Sequence, residues 1–154
     1  MQDTESRLPD VWLSLFDGTG LEAKQDTSAI LATVGEDGWP HVSFLSVGEV
    51  LVRDHDRLSL LLWPSSTTAG NLRRTGRAIL FAAAEGSVWE ARLDARPTGD
   101  DGQGLARFDA QAVAVRRHVA PYAEVTGMIG FRLHDPDDVI ARWHKQIERL
   151  AHPG

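Results

Sequence analysis

Apolar positions along this chain fall into short runs of two periods, one near 3.6 and one of 2. Val11, Trp12, Leu15 and Phe16 share one helical face, so Pro9 to Phe16 reads as a short helix that starts at Pro9 or Asp10 and ends at Asp17-Gly18. Ser28 to Val34 reads as a strand, and Gly35-Glu36-Asp37-Gly38 as a glycine-bracketed hairpin turn. Pro40 to Val52 reads as one longer strand. In it Val42, Phe44 and Val47 form an apolar face, Ser43 and Ser46 a hydroxyl face, and Gly48 marks a bulge. Arg53 to Arg57 is a polar turn, and Leu58 to Trp63 a strand with almost no polar interruption. After a turn rich in Ser and Thr, Ala69 to Thr75 reads as a helix that Gly76 terminates.

Arg77 to Ala84 and Ser87 to Pro97 read as strands around a Glu85-Gly86 turn, the second with Trp89, Ala91, Leu93 and Ala95 on its apolar face. Thr98 to Gly104 is a polar loop. Leu105, Phe108, Ala112 and Val115 recur at near-helical spacing, which predicts a helix from Leu105 to His118. Pro121-Tyr122 breaks it, and Thr126 to Leu133 reads as a further strand. Asp135-Pro136 cap a last helix, Asp137 to Leu150, whose acidic start and basic end suit the helix dipole.

Mostly adjacent antiparallel strands joined by hairpin turns predict a mainly β (α+β) fold, a small barrel with peripheral helices. The order is not a βαβ alternation, and no G-x-G-x-x-G or Walker sequence occurs, which argues against a Rossmann fold. With no internal repeat, low-complexity tract or long linker, residues 1–154 are expected to form a single domain.

Composition narrows the function classes. The 42% hydrophobic and 25% charged residues are ordinary for a globular protein. A net charge of −6 argues against duplex nucleic acid as the main partner. The local clusters Arg73, Arg74, Arg77 and Arg116, Arg117, His118 read as solvated helix ends. Without cysteine, disulfides, thiolate catalysis and Cys-ligated zinc are excluded. No apolar run approaches membrane-spanning length, and the first ten residues lack the basic start and apolar core of a signal peptide. The expected location is cytoplasmic, with no membrane partner.

The stretch W-P-S-S-T-T-A-G-N-L-R-R-T-G-R-A-I-L, Trp63 to Leu80, carries the chemistry. A hydrophobic strand runs into a hydroxyl-rich turn, and a helix start follows. Hydroxyls and free backbone N–H groups at a helix start hold phosphate. One hydroxyl suffices to cap a helix, and four in succession, Ser65, Ser66, Thr67 and Thr68, exceed that need.

Together with A-T-V-G-E-D-G-W-P-H-V-S, this stretch resembles the pyridoxamine 5′-phosphate oxidase-like, FMN-binding split β-barrel family, most clearly from Ala29 to about Pro97. The first segment is similar to the family's strand, D/E-G-x-P, strand pattern. The second is similar to its strand, Ser/Thr-rich turn, N-L-x-x-x-x-R-x-x-L pattern. The resemblance implies a split β-barrel of antiparallel strands with peripheral helices and a homodimer with two FMN sites at the subunit interface. It also implies a phosphate held on the turn from Ser65 to Thr68 and the helix after it. Established oxidases of the family usually carry Ser-Arg-Lys in this turn and an arginine on the preceding long strand. Here Ser66, Thr67 and Thr68 occupy the turn positions, and Ser43 lies near the strand arginine. Two or three cations are therefore missing, unless Arg73, Arg74 or Arg77 compensates. The departure argues against the classical oxidase activity.

On this resemblance Asn71 faces the phosphate or ribityl chain, or solvent. Arg73 and Arg74 diverge by about 100° as helix neighbours, so one of them, Arg73 in our assignment, contacts phosphate or a partner carboxylate. Trp63 and Trp89 wall the isoalloxazine or fill the barrel or dimer interface, and Ser43 and Ser46 donate to ring oxygens or face outward. The six histidines show no ligand spacing, so no metal is expected. His144 beside Trp143 reads as a surface helix position or as a reach toward a partner's cofactor. Flavin would carry the redox chemistry, so a missing acid–base motif does not argue against an enzyme. The reading is an FMN-binding oxidoreductase acting on a small molecule. The alternatives are a deazaflavin-dependent reductase and a non-catalytic module holding flavin or haem.

Overall fold

Period-2 segments dominate the folded chain. The computed structural model describes residues 4–100 and 104–152. A two-residue β1 (Thr4–Glu5) precedes the main strands β2 (Ser28–Val34), β3 (Pro40–Ser46), β4 (Val50–Val52), β5 (Arg57–Leu62), β6 (Arg77–Ala84), β7 (Ser87–Asp100) and β8 (Ala106–His118). The main strands form one antiparallel sheet in the order β3-β2-β6-β7-β8-β5-β4, and β1 adds to β8. The sheet curls into a split barrel. Three α-helices among the described residues lie outside it: α1 (Asp10–Leu15), α2 (Thr67–Thr75) and α3 (Pro136–Ala151).

Alternation decides what fills the barrel. Leu31, Leu80, Ala91 and Val115 form one cross-strand row, and all four are buried. Trp12 and Phe16 of the α1 region are fully buried and meet edge to face, 6.0 Å between ring centroids. Burying each such aromatic stabilises the fold by about 1.5–3 kcal/mol. The Gly35–Gly38 turn closes as expected: Gly38 has φ 82° and its amide donates to the Gly35 carbonyl at 2.9 Å.

Four sequence readings are corrected. The segment expected to be a helix from Leu105 to His118 is β8. Its buried residues Ala106, Phe108, Ala110 and Ala112 alternate, and the run continues at Val115 after a register shift opposite Arg92/Leu93. Pairing with both β5 and β7 overrides the alanine-rich helix propensity. Thr126 to Leu133 has no regular secondary structure. It lies beside β2, where the Ser28 hydroxyl donates to the Ile129 carbonyl, but both edges of β2 are already taken by β3 and β6.

The long strand expected from Pro40 to Val52 breaks into β3 and β4 at a turn, not at a bulge. There the Glu49 amide donates to the Ser46 carbonyl at 3.1 Å, and the Glu49 carboxylate accepts from the Ser46 amide and hydroxyl at 3.0 and 2.7 Å. Gly48 is needed because a Cβ there would lie 2.1 Å from Cγ of Trp143 in α3. The two faces of β3 that the alternation separates can now be oriented. Ser43 sits in the inward row opposite Leu31, whereas Val42 and Phe44 face outward and are half exposed, at 50% and 55%. Thr98 to Asp100 extend β7, and residues 101–103 of the expected loop lie outside the described residues.

Helix α3 carries Pro136 in its first turn with Asp137 and Asp138 beside it, and Asp135 occupies the cap position without a side-chain cap bond. Trp143, Ile147 and Leu150 are buried against the barrel, and the buried Gln146 amide donates to the Gly48 carbonyl at 2.7 Å. Two arginines hold the far end: Arg53 donates to the Leu150 carbonyl, and Arg107 to the His152 carbonyl at 3.0 Å. Cations at a helix C-terminus satisfy its orphan carbonyls and its dipole together.

Candidate functional site

The site is built around the start of α2. Ser66 caps the helix: its hydroxyl accepts from the Ala69 amide at 3.1 Å and donates to the Trp63 carbonyl at 2.7 Å. Gly76 ends the helix in the left-handed conformation, φ 67°. Between these caps, Thr68, Ala69, Asn71 and Leu72 turn toward the barrel, and Thr67 and Gly70 remain exposed. The first turn leaves the amides of Thr67 and Thr68 without an intrahelical acceptor, as any helix start does.

The polar side chains of α2 are largely committed. The Asn71 amide donates to the Thr33 hydroxyl of β2 at 3.0 Å, with both residues buried. Arg74 donates to the Val34 carbonyl and to Asn71 Oδ1, and Arg73 donates to the Pro64 carbonyl at 2.9 Å with its guanidinium 5.9 Å from the Phe108 ring centroid. Both guanidiniums are therefore engaged with backbone carbonyls, that of Arg73 at Pro64 in the turn before the Ser66 cap. Thr68 is buried.

Two clefts open beside this helix and meet at Pro40. One, about 520 Å³, is lined by Trp39, Pro40, His41, Thr67, Gly70 and Asn71. The other, about 560 Å³, lies on the outer sheet face between Val34, Ile79 and Val113, with Arg77, Arg92 and Asp94 along it. Arg77 and Arg92 are exposed and make no ion pair among the described residues. Cross-strand rows Phe44–Ile30–Phe81 and Val42–Ala32–Ile79 continue the apolar surface over β3, β2 and β6. Trp39 adds an indole that is 73% exposed. The alternation at Val42 and Phe44 carried the signal for this surface, though not that it faces outward. Trp39 and His41 carried none, because their place in the cleft depends on how α2 packs against the hairpin.

The expected cofactor residues separate into two groups. Ser65, Ser66, Thr67, Thr68 and Asn71 share the turn and the first turns of α2, and Thr67 and Asn71 line the cleft. Trp63, 67% exposed, precedes the same turn. The others are elsewhere. The Ser43 hydroxyl is enclosed on the inward face with no hydrogen-bond partner among the described residues, and Ser46 is committed to Glu49 and to the Gly48 amide. Trp63 and Trp89 do not lie on neighbouring strands: Trp63 follows β5, which pairs with β4 and β8, whereas Trp89 is on β7. Leu93 on β7 lies in the row of Thr33, which Asn71 contacts, and four residues at about 3.3 Å each put Trp89 roughly 13 Å along the sheet from that row. There its indole lies under Arg117, 5.4 Å from guanidinium carbon to ring centroid.

Burial pushes the Glu49 carboxyl above its ordinary 4.5, against hydrogen bonds from Ser46 that pull it down. The group belongs to the turn under Trp143 and not to the clefts.

The uncharacterized protein YclD of Bacillus subtilis (strain 168) is 34% identical over 146 residues, which are 93% of this chain and 95% of YclD. The chain belongs to the YclD family. No family model matches it. Solved structures share the fold at low identity. A pyridoxamine 5′-phosphate oxidase-like protein from Lactobacillus delbrueckii superposes with a TM-score of 0.57 and 20% identity, over 72% of this chain and 94% of that one. An FMN-binding protein from Syntrophomonas wolfei superposes at 0.53 with 10% identity, over 71% and 88%. An F420 reductase superposes at 0.50 with 16% identity, over 70% and 98%. The fold of this YclD-family protein is thus the split barrel of pyridoxamine 5′-phosphate oxidase-like, FMN-binding proteins. No helix among the described residues is long and apolar enough to cross a membrane.

Proposed function

We propose that this YclD-family protein is a flavin-dependent oxidoreductase acting as a homodimer. An FMN-type cofactor would lie on the outer face of the β3-β2-β6 sheet, with its phosphate at the start of α2. One observation carries the reading: an open apolar sheet face, with Val42 and Phe44 half exposed, adjoins a helix start that has spare donors. A planar ring needs an apolar wall, and a second copy laid on that face would supply the other wall and exclude water.

The residues fit the cofactor with a neutral phosphate turn. Ser66 is occupied as the cap, and Arg73 and Arg74 are tied to carbonyls. The remaining donors are the exposed Thr67 and Ser65 side chains and the amides of Thr67 and Thr68. Arg77 and Arg92 on the adjoining face are the cations available to an anionic group. Bound flavin would supply the redox chemistry, and the chain would bind it, orient it and keep one face dry for a small-molecule substrate. The uncharged turn also favours a second reading, a deazaflavin-dependent reductase, and the F420 reductase likeness in fold agrees with it.

Titration with FMN and with a deazaflavin, for the parent and for Thr67→Ala and Thr68→Ala, tests the assignment. Thr67→Ala weakens binding by about 1–3 kcal/mol if its hydroxyl contacts the phosphate. Buried Thr68→Ala acts on stability instead. Unchanged affinity in Thr67→Ala removes that hydroxyl from the site. Flavin reduction by NAD(P)H then separates an enzyme from a module that only holds the cofactor.

A further inference from the structure

A third cleft of about 500 Å³ lies on the outer face of β7, β8 and β5 and borders the sheet-face cleft at Asp94. Arg53, Arg57, Arg96 and Arg107 line it, against the carboxylates of Asp94 and Asp109. In a chain of net charge −6 this is a local excess of positive charge.

The four guanidiniums have different duties. Arg107, only 5% exposed, lies 3.4 Å from the Asp109 carboxylate and holds the end of α3. Arg53 donates to the Ser59 hydroxyl at 2.8 Å, and Ser59 donates in turn to Asp109 at 2.7 Å. Two guanidiniums therefore share one carboxylate. Partial burial first, and then the charge of Arg107, lower the affinity of Arg53 for its proton. Arg57 pairs with Asp54 at 2.7 Å, outside the lining. Arg96 is exposed and makes no ion pair or hydrogen bond among the described residues, although Asp109 is its cross-strand partner.

Arg57 and Arg96 stand on β5 and β7 with β8 between them and two residues of stagger along the strands, so their backbones are about 12 Å apart across the sheet. The floor between them is Asp109 and Gln111 of β8. Side chains reaching in from both walls can close on an anion with two phosphoryl groups, or with one phosphoryl and one further acceptor. Guanidinium groups match phosphate oxygens in paired hydrogen bonds. Asp94 and Gln111 in turn accept from, or donate to, hydroxyl groups.

We propose that this cleft is a binding site for a small phosphate or diphosphate ester carrying hydroxyl groups, separate from the site at the start of α2. Arg57 and Arg96 are the exposed anion contacts, Arg57 turning from Asp54 to make its own, and Arg53 and Arg107 fix the rear of the cleft by holding the end of α3. This inference does not depend on the flavin reading.

Calorimetric titration of the full chain with inorganic pyrophosphate at low ionic strength, with and without FMN, tests it. Saturable binding is expected that FMN leaves unchanged and that Arg57→Ala with Arg96→Ala weakens by about tenfold or more, the cost of lost charge-assisted contacts. Thr67→Ala is expected to leave it unchanged. Arg96→Glu alone, at an exposed side chain, gives the same loss should the double variant fold poorly. The proposal is overturned by the absence of saturable binding, by parental affinity in the arginine variants, or by loss in Thr67→Ala or on adding FMN.

Discussion

Asn71 of α2 and Thr33 of β2 are hydrogen-bonded at 3.0 Å, and both side chains are buried. This bond places the helix start against the hairpin, and the cleft lined by Trp39, His41 and Thr67 follows from it. Arg74 adds to the same join by donating to Asn71 Oδ1 and the Val34 carbonyl. Asn71→Ala leaves the Thr33 hydroxyl buried without its partner. A loss of about 1–3 kcal/mol in unfolding free energy is expected by urea denaturation. Parental stability would show that the bond does not hold the helix.

Val42 and Phe44 point away from the core on the edge strand β3, in line with Ala32, Ile30, Ile79 and Phe81. Phe44→Asp places a charge on this surface without touching the interior. Size exclusion with light scattering is expected to give the mass of two chains for the parent and of one for the variant, with unchanged circular dichroism. A dimeric variant would move the subunit contact elsewhere.

Gly48 lies under the Trp143 ring, with room for no Cβ. Gly48→Ala must push Trp143 and α3 off the barrel or shift the turn. Overpacking of this kind costs about 1–3 kcal/mol. Thermal unfolding checks the loss, and faster amide exchange along α3 shows that the helix is what gives way.

Glu49 links the same turn to pH. Burial raises its folded pKa above the unfolded value near 4.5, so the stability linked to this group is present below the unfolded value and is lost as pH rises through the folded one. Glu49→Gln keeps an acceptor for the Ser46 amide and removes the buried charge. Its melting temperature is expected to exceed the parent's at neutral pH, with the difference closing on acidification toward 4.5. A pH-independent difference would contradict the assignment.

Much of the barrel was legible because local and tertiary signals agree: glycines bracket the Gly35–Gly38 turn, and Ser66 and Gly76 cap α2. The failures arise where they compete. The alanines of β8 fit helix and strand alike, and only pairing with β5 and β7 decides. On β3 the pattern fixed the two faces but not which one turns inward, since an apolar outer face looks like a core face in one chain. The hydroxyl turn was legible as a group. That Ser66 spends itself on the cap, that Thr68 is buried and that Arg73 and Arg74 reach carbonyls are packing outcomes, which spacing along a chain does not encode.

FMN titration followed by flavin fluorescence, begun with the visible spectrum of freshly purified protein, tests the central claim most directly. The account predicts either a flavin spectrum as isolated or saturable quenching at micromolar concentration with one flavin per chain. A colourless protein with no quenching up to about millimolar FMN, weaker than a few kcal/mol of binding, would contradict it.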